Sequence, residues 1–153
     1  MNFITPEQIA LFGQLALAVF LGSLVGIERS MAHRLAGFRT FAMVSLGSCA
    51  FTIISEMAFT ALGENSALDP SRIASQIVVG VGFLAGGLII FNKDHLHGLT
   101  TGAGLWVAAG IGMAVGFHLY GIAIFITILT IIIFGLFWQL EQKLLTRGHE
   151  RKD

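Results

Sequence analysis

Four residues able to do chemistry meet where one apolar segment ends and the next begins: Glu28-Arg29 and Arg39-Thr40. A carboxylate there could face a proton, a cation or a partner protein. It could equally pair with one of the arginines, which also serve as interfacial anchors. Asp69, Arg72, Gln76 and Gly80 follow at spacings of 3, 4 and 4, which places them on one helix face. Asp69 can cap that helix and pair with Arg72. Gln76 lies deeper, where an unpaired amide is costly, and is expected to face the bundle interior as a packing hydrogen bond or as a site. In Asn92-Lys93-Asp94-His95-Leu96-His97-Gly98-Leu99-Thr100-Thr101, Asp94, His95 and His97 offer metal-ligating atoms. A metal centre wants about three or four convergent ligands, so this loop alone assigns no metal. Asn92 reads as a helix C-cap, and Thr100 and Thr101 as capping or backbone-bonded hydroxyls. Trp106 falls inside an apolar segment, where its indole N–H needs a partner.

The elements that position these residues follow from composition. Of 153 residues, 55% are hydrophobic and 12% charged, with a mean hydropathy of +0.81. Soluble domains carry about a quarter charged residues, so this chain cannot cover a water-facing exterior and reads as an integral membrane protein. Nine basic residues balance nine acidic ones, which argues against a nucleic-acid partner. The single Cys49 excludes an internal disulfide and reads as a buried structural thiol. No phosphate-binding G-x-x-x-x-G-K-[ST], no H-E-x-x-H and no G-x-S-x-G occurs, and carboxylates are absent from the middle of the apolar runs. No enzyme and no cofactor are therefore expected.

A bilayer core needs roughly 20 apolar residues per helix. Gaps between charged residues give five spans, near 7–27, 38–60, 71–91, 99–116 and 119–140. The expectation is an all-α, polytopic transmembrane bundle of five helices over 1–140, followed by a short charged cytoplasmic tail, 141–153. Thr5-Pro6-Glu7-Gln8 has the form of a capping box with Pro at the first helical position, and Asp69-Pro70-Ser71-Arg72 repeats the device. No Lys or Arg precedes the first span, so no cleaved signal peptide is expected. Arg29, Arg34, Arg39, Lys93, Lys143, Arg147, Arg151 and Lys152 fall on one side and only Arg72 on the other. The positive-inside rule then puts the N-terminus out and the C-terminus in the cytoplasm. Nineteen glycines include Gly22/Gly26, Gly82/Gly86, Gly98/Gly102 and Gly112/Gly116, all four apart. Such pairs let helix backbones approach, within the bundle or across a homodimer or larger homo-oligomer. Gly37 and Gly80 join them as candidate packing positions.

Taken together, Leu21-Gly22-Ser23-Leu24-Val25-Gly26-Ile27-Glu28-Arg29 with Ala36-Gly37-Phe38-Arg39-Thr40 resembles the first signature of the MgtC/SapB membrane family. Asp69 to Gly87 resembles its second signature and Gly98 to Gly112 its third, in the family's order across spans 1–4. The resemblance implies a five-helix bacterial inner-membrane protein linked to magnesium homeostasis, to growth in low magnesium and, in pathogens, to survival inside macrophages. The family is often labelled a magnesium transport component through its association with a P-type Mg²⁺ pump. Its members resemble regulators acting on membrane partners, including that pump and F-type ATP synthase. By motif position it points to Glu28, Arg29, Gly37, Arg39, Thr40, Asp69, Arg72, Gln76, Asn92, Gly98, Thr100, Thr101 and Trp106. Members often carry a small cytoplasmic domain after the helices. Ending at Asp153, this chain is expected to be a short form, with Gly102 and Gly104 where alanines are common.

Two functions of different class follow. One is a non-catalytic modulator of membrane partners. The other is a small oligomeric transporter or channel for Mg²⁺ or another cation, which needs Glu28, Asp69, Gln76, Thr100 and Thr101 along one pathway. A metal-dependent membrane enzyme would require Asp94, His95 and His97 to meet Glu28. Inward-turned Arg39, Gln76 and Thr101 around a hydrated cavity would favour transport, and a dry bundle would favour modulation.

Overall fold

The computed structural model describes residues 5–62, 69, 71–92, 95–139 and 143. Five helices follow in order: α1 (Pro6–Met31), α2 (Phe38–Leu62), α3 (Ser71–Gly87), α4 (Leu99–Gly116) and α5 (Tyr120–Ile132). The last runs on as a π-helical turn, Ile133–Phe137. Four of these elements are long and apolar enough to cross a bilayer, while α3 has 17 residues. Large apolar side chains such as Phe12, Phe20, Phe83 and Phe125 stand exposed on the outer surface. Together with these helices they make the chain a polytopic helical membrane protein, since lipid is the solvent such a surface suits.

The first helix starts as its sequence dictates. Gln8 N–H donates to Thr5 Oγ1 at 3.3 Å, and Thr5 N–H donates to Gln8 Oε1 at 3.0 Å, closing the capping box. Its far end runs on to Met31 and stops in a Schellman turn. His33 takes the left-handed position with φ 52°, its N–H donating to Ser30 O and that of Arg34 to Arg29 O. Phe38 N–H then donates to Ser30 Oγ at 2.9 Å, so a side chain of α1 caps the start of α2. A second Schellman turn closes α4, with His118 left-handed at φ 60° and Leu119 N–H donating to Ala114 O.

The span expected over 71–91 is shorter than hydropathy suggested. Leu88 and Ile89 N–H donate to Ala85 O and Gly86 O, tightening the last turn, and α3 ends at Gly87. Two successive glycines weaken the helix there, and the Ile-Ile-Phe run that follows suits a strand. It forms β1 (Ile90–Asn92), antiparallel to β2 (His95–His97), with Ile90 opposite His97. Asn92 is therefore a strand residue and not a helix C-cap. Gly98 links β2 to α4 at φ +90°, with the Leu88 carbonyl where a Cβ would go.

The core forms where α2 is gripped between α1 and α4. A Cβ on Gly22 would come within 2.6 Å of Ser45 Cβ, and one on Gly116 within 2.7 Å of Thr52 Cβ. Gly26 and Gly112 approach the backbones of Phe38 and Ser45 just as closely. Small residues here replace the hydrophobic driving force that lipid removes. Gly37 meets Ser30 Oγ, and Gly102 approaches Ala85 O of α3. Gly80, Gly82 and Gly86 differ, with nothing within 4 Å. Ala74, Ile77 and Val81 form the buried face of α3; Gly82 and Gly86 lie off it and Gly80 borders an open groove toward α2, so none of the three packs closely on a helix of this protomer. Several hydroxyls inside the bundle bond to backbone carbonyls, which satisfies them in hydrocarbon. Ser45 donates to Ala18 O and Thr52 to Ser48 O, each at 2.8 Å.

Candidate functional site

Arg29 occupies the last turn of α1 and is 3% exposed. A guanidinium that buried must be paired. Its Nε donates to Glu28 Oε2, and its Nη2 donates to Glu28 Oε1 at 2.7 Å. The Phe134 ring lies 3.8 Å from the guanidinium carbon, a cation–π contact. Nη2 also reaches Phe134 O at 3.4 Å. The C-terminal end of α1 favours a cation as well, through its aligned peptide dipoles.

Around this pair opens a cavity of about 690 Å³. Four elements meet there: the end of α1 with its Schellman turn, the end of β2, the first turn of α4, and the π-turn after α5. Arg29, Thr100 and Thr101, which all stand at motif positions, come together in it, joined by His33, Arg34 and His97. Thr101 is 3% exposed. Ile133, Phe137 and Trp138 form the apolar rim. Sequence reasoning assigned His33, Phe134 and Trp138 no role. The aromatic run Phe134-Gly135-Leu136-Phe137-Trp138 was the available signal, since such residues gather at membrane interfaces.

The other residues singled out by type and spacing do not join this cavity. Gln76 is exposed rather than interior, because Ala74, Ile77 and Val81 claim the buried face of α3 and leave Gln76 outside it. With Thr40 and Gly80 it lines a separate, apolar groove of about 620 Å³ between α2 and α3. Arg39 is exposed at the start of α2, and Arg72 is exposed at the start of α3, its N–H donating to Asp69 O. Trp106 points outward from α4, 53% exposed, so its indole needs no interior partner. Lys93 and Asp94, Pro70, and the tail apart from Lys143 lie outside the described residues. Asp94 of the loop considered for a metal is thus outside them, while His97 lines the cavity. At the opposite end of the bundle His118 Nδ1 lies 3.9 Å from Glu56 Oε2, with both side chains open to solvent.

Comparison with known proteins agrees with the family resemblance. The sequence profile of the MgtC family matches residues 15–143. Over 138 residues, 89% of the chain, it is 37% identical to the Escherichia coli (strain K12) protein named "Putative magnesium transporter YhiD", covering 64% of that protein. It is 39% identical over 130 residues, 85% of the chain, to "Protein MgtC" of Brucella abortus (strain 2308), covering 52% of that protein. The chain thus spans about half to two thirds of the length of these relatives. No solved structure matches it.

Proposed function

This chain belongs to the MgtC family, and on that premise we propose that it is a non-catalytic protein of the bacterial inner membrane that serves magnesium homeostasis and low-magnesium growth by modulating membrane partners. An F-type ATP synthase or a P-type Mg²⁺ pump is the kind of partner the family resemblance suggests. The N-terminus faces out, and the cavity around Arg29 opens toward the cytoplasm. A second copy of the chain packs on the open glycines of α3, making a homo-oligomer.

One observation carries the modulator reading over transport: the polar residues divide instead of converging. Arg29 and Thr101 lie in the cavity at one end, whereas Thr40 and Gln76 line an apolar groove on the side of the bundle. A cation route needs polar groups in succession across the membrane. Between the two ends, α2 is closed against α1 and α4 by glycine contacts, and its buried Ser45 and Thr52 hydroxyls are spent on backbone carbonyls.

The test is ²⁸Mg²⁺ uptake by purified, folded protein in sealed liposomes, wild type beside Glu28→Ala and Gln76→Leu. The expected result is no flux above empty liposomes. Uptake by the wild type that either substitution abolishes would overturn the modulator reading in favour of an oligomeric cation transporter.

A further inference from the structure

We infer that the cavity between α1, α4 and the π-turn is a binding site for a phosphate group, carried either by a membrane phospholipid or by a soluble phosphate compound. This goes beyond the modulator reading and holds whether or not the protein moves magnesium.

The first turn of α4 opens into the cavity. Its N-cap, Gly98, has no side chain to offer. The N–H groups of Leu99, Thr100 and Thr101 have no hydrogen-bond partner among the described residues. A helix start left in that state attracts an anion through both its free donors and its dipole. Two buried side chains point to the same ligand independently. Thr101, 3% exposed, lines the cavity, and its hydroxyl has no hydrogen-bond partner among the described residues. Arg29, equally buried, commits Nε and Nη2 to Glu28 and Phe134 O, which leaves Nη1 without a partner among the described residues. Among the described residues only Gln14 Oε1 is fully enclosed without a partner, so the Thr101 hydroxyl and Arg29 Nη1 are open to the cavity, where a ligand can accept from them.

Charge agrees with geometry. Among the described residues the lining holds Arg29, Arg34, His33 and His97 and no carboxylate. Glu28, the nearby carboxylate, is taken up by Arg29. A guanidinium, a hydroxyl and successive backbone amides form a donor set suited to phosphate oxygens. Ile133, Phe137 and Trp138 on the rim would hold the first carbons of a lipid, as basic pockets between membrane helices do for anionic headgroups.

The test follows Trp138 emission of the full chain in a Trp106→Phe background, which removes the second tryptophan, in dodecyl maltoside, a detergent without phosphate. The protein is titrated with inorganic phosphate, and separately with dihexanoyl-phosphatidylglycerol below its micelle concentration, at matched ionic strength. Thr101→Val removes only the hydroxyl, and Arg34→Gln removes an exposed charge. Both leave the buried Arg29–Glu28 pair intact, so neither is expected to unfold the chain. A saturable response that either substitution weakens by roughly tenfold is expected. Response to the lipid alone assigns a headgroup, response to phosphate alone a soluble ligand, and response to both the shared group. A wild type that responds to neither, or a response unchanged in both variants, overturns the inference.

Discussion

The guanidinium carbon of Arg29 lies 3.8 Å from the centroid of the Phe134 ring, and through that contact the end of α1 is tied to the π-turn that follows α5. Gly104 of α4 sits beneath the same ring: a Cβ there would come within 2.6 Å of Phe134 Cζ. One buried cation therefore gathers three helices at a single end of the bundle. The contact needs the ring at that height, and a π-turn, a device that often marks functional sites, supplies it.

Replacing the ring tests its part. Phe134→Leu keeps an apolar filling and removes the π-face, with an expected loss of about 1–2 kcal/mol, read as a lower thermal midpoint in detergent. Glu28→Gln should cost about 2–3 kcal/mol, because it strips the charge that offsets a buried guanidinium. If Phe134→Leu melts with the wild type, the cation–π contact contributes nothing.

The glycines separate into two groups with opposite behaviour. Gly112→Leu or Gly116→Val drives a side chain into α2 and should prevent accumulation of folded protein. Gly82→Ala adds a methyl group in open space and should be neutral or stabilising by up to about 1 kcal/mol, from helix propensity alone. Thermal midpoint and size-exclusion profile in detergent read both. A Gly82→Ala protein with an unchanged midpoint but a smaller assembly would place another copy on α3.

The two left-handed histidines make a matched pair. His33→Gly and His118→Gly should each raise stability by up to about 1 kcal/mol, since glycine adopts that conformation without the Cβ clash. Gly98→Ala should do the reverse and lower the midpoint, because φ is +90° and the Leu88 carbonyl fills the space. Equal midpoints for all three variants would contradict these backbone assignments.

Orientation can be read by labelling. In a Cys49→Ala background, Arg34→Cys should resist a membrane-impermeant maleimide until the inner membrane is opened, while His118→Cys should react without that step. The reverse pattern would invert the topology. Labelling of both from one side would mean that α2, α3 and α4, which separate them, do not make an odd number of crossings.

The sequence by itself determined the membrane class, the five helices and the capping box at Thr5, because each depends on local composition or on residues three or four apart. The shared motifs determined the family for the same reason: they are contiguous strings. Part of the site was legible too, since Arg29, Thr100 and Thr101 stand at motif positions and do meet in one cavity. The direction in which each residue faces was decided only by the tertiary structure. Spacing put Asp69, Arg72, Gln76 and Gly80 on one helix face, yet Asp69 lies before α3, and burial of Ala74, Ile77 and Val81 left the other three exposed. The helix expected to reach residue 91 likewise stopped at Gly87, because hydropathy does not distinguish an apolar strand from an apolar helix. Phe134 and Trp138 joined the cavity from more than a hundred residues along the chain from Arg29. A contact of that range depends on how the helices pack and on a π-turn that shifts register, neither of which is encoded in residues near Arg29.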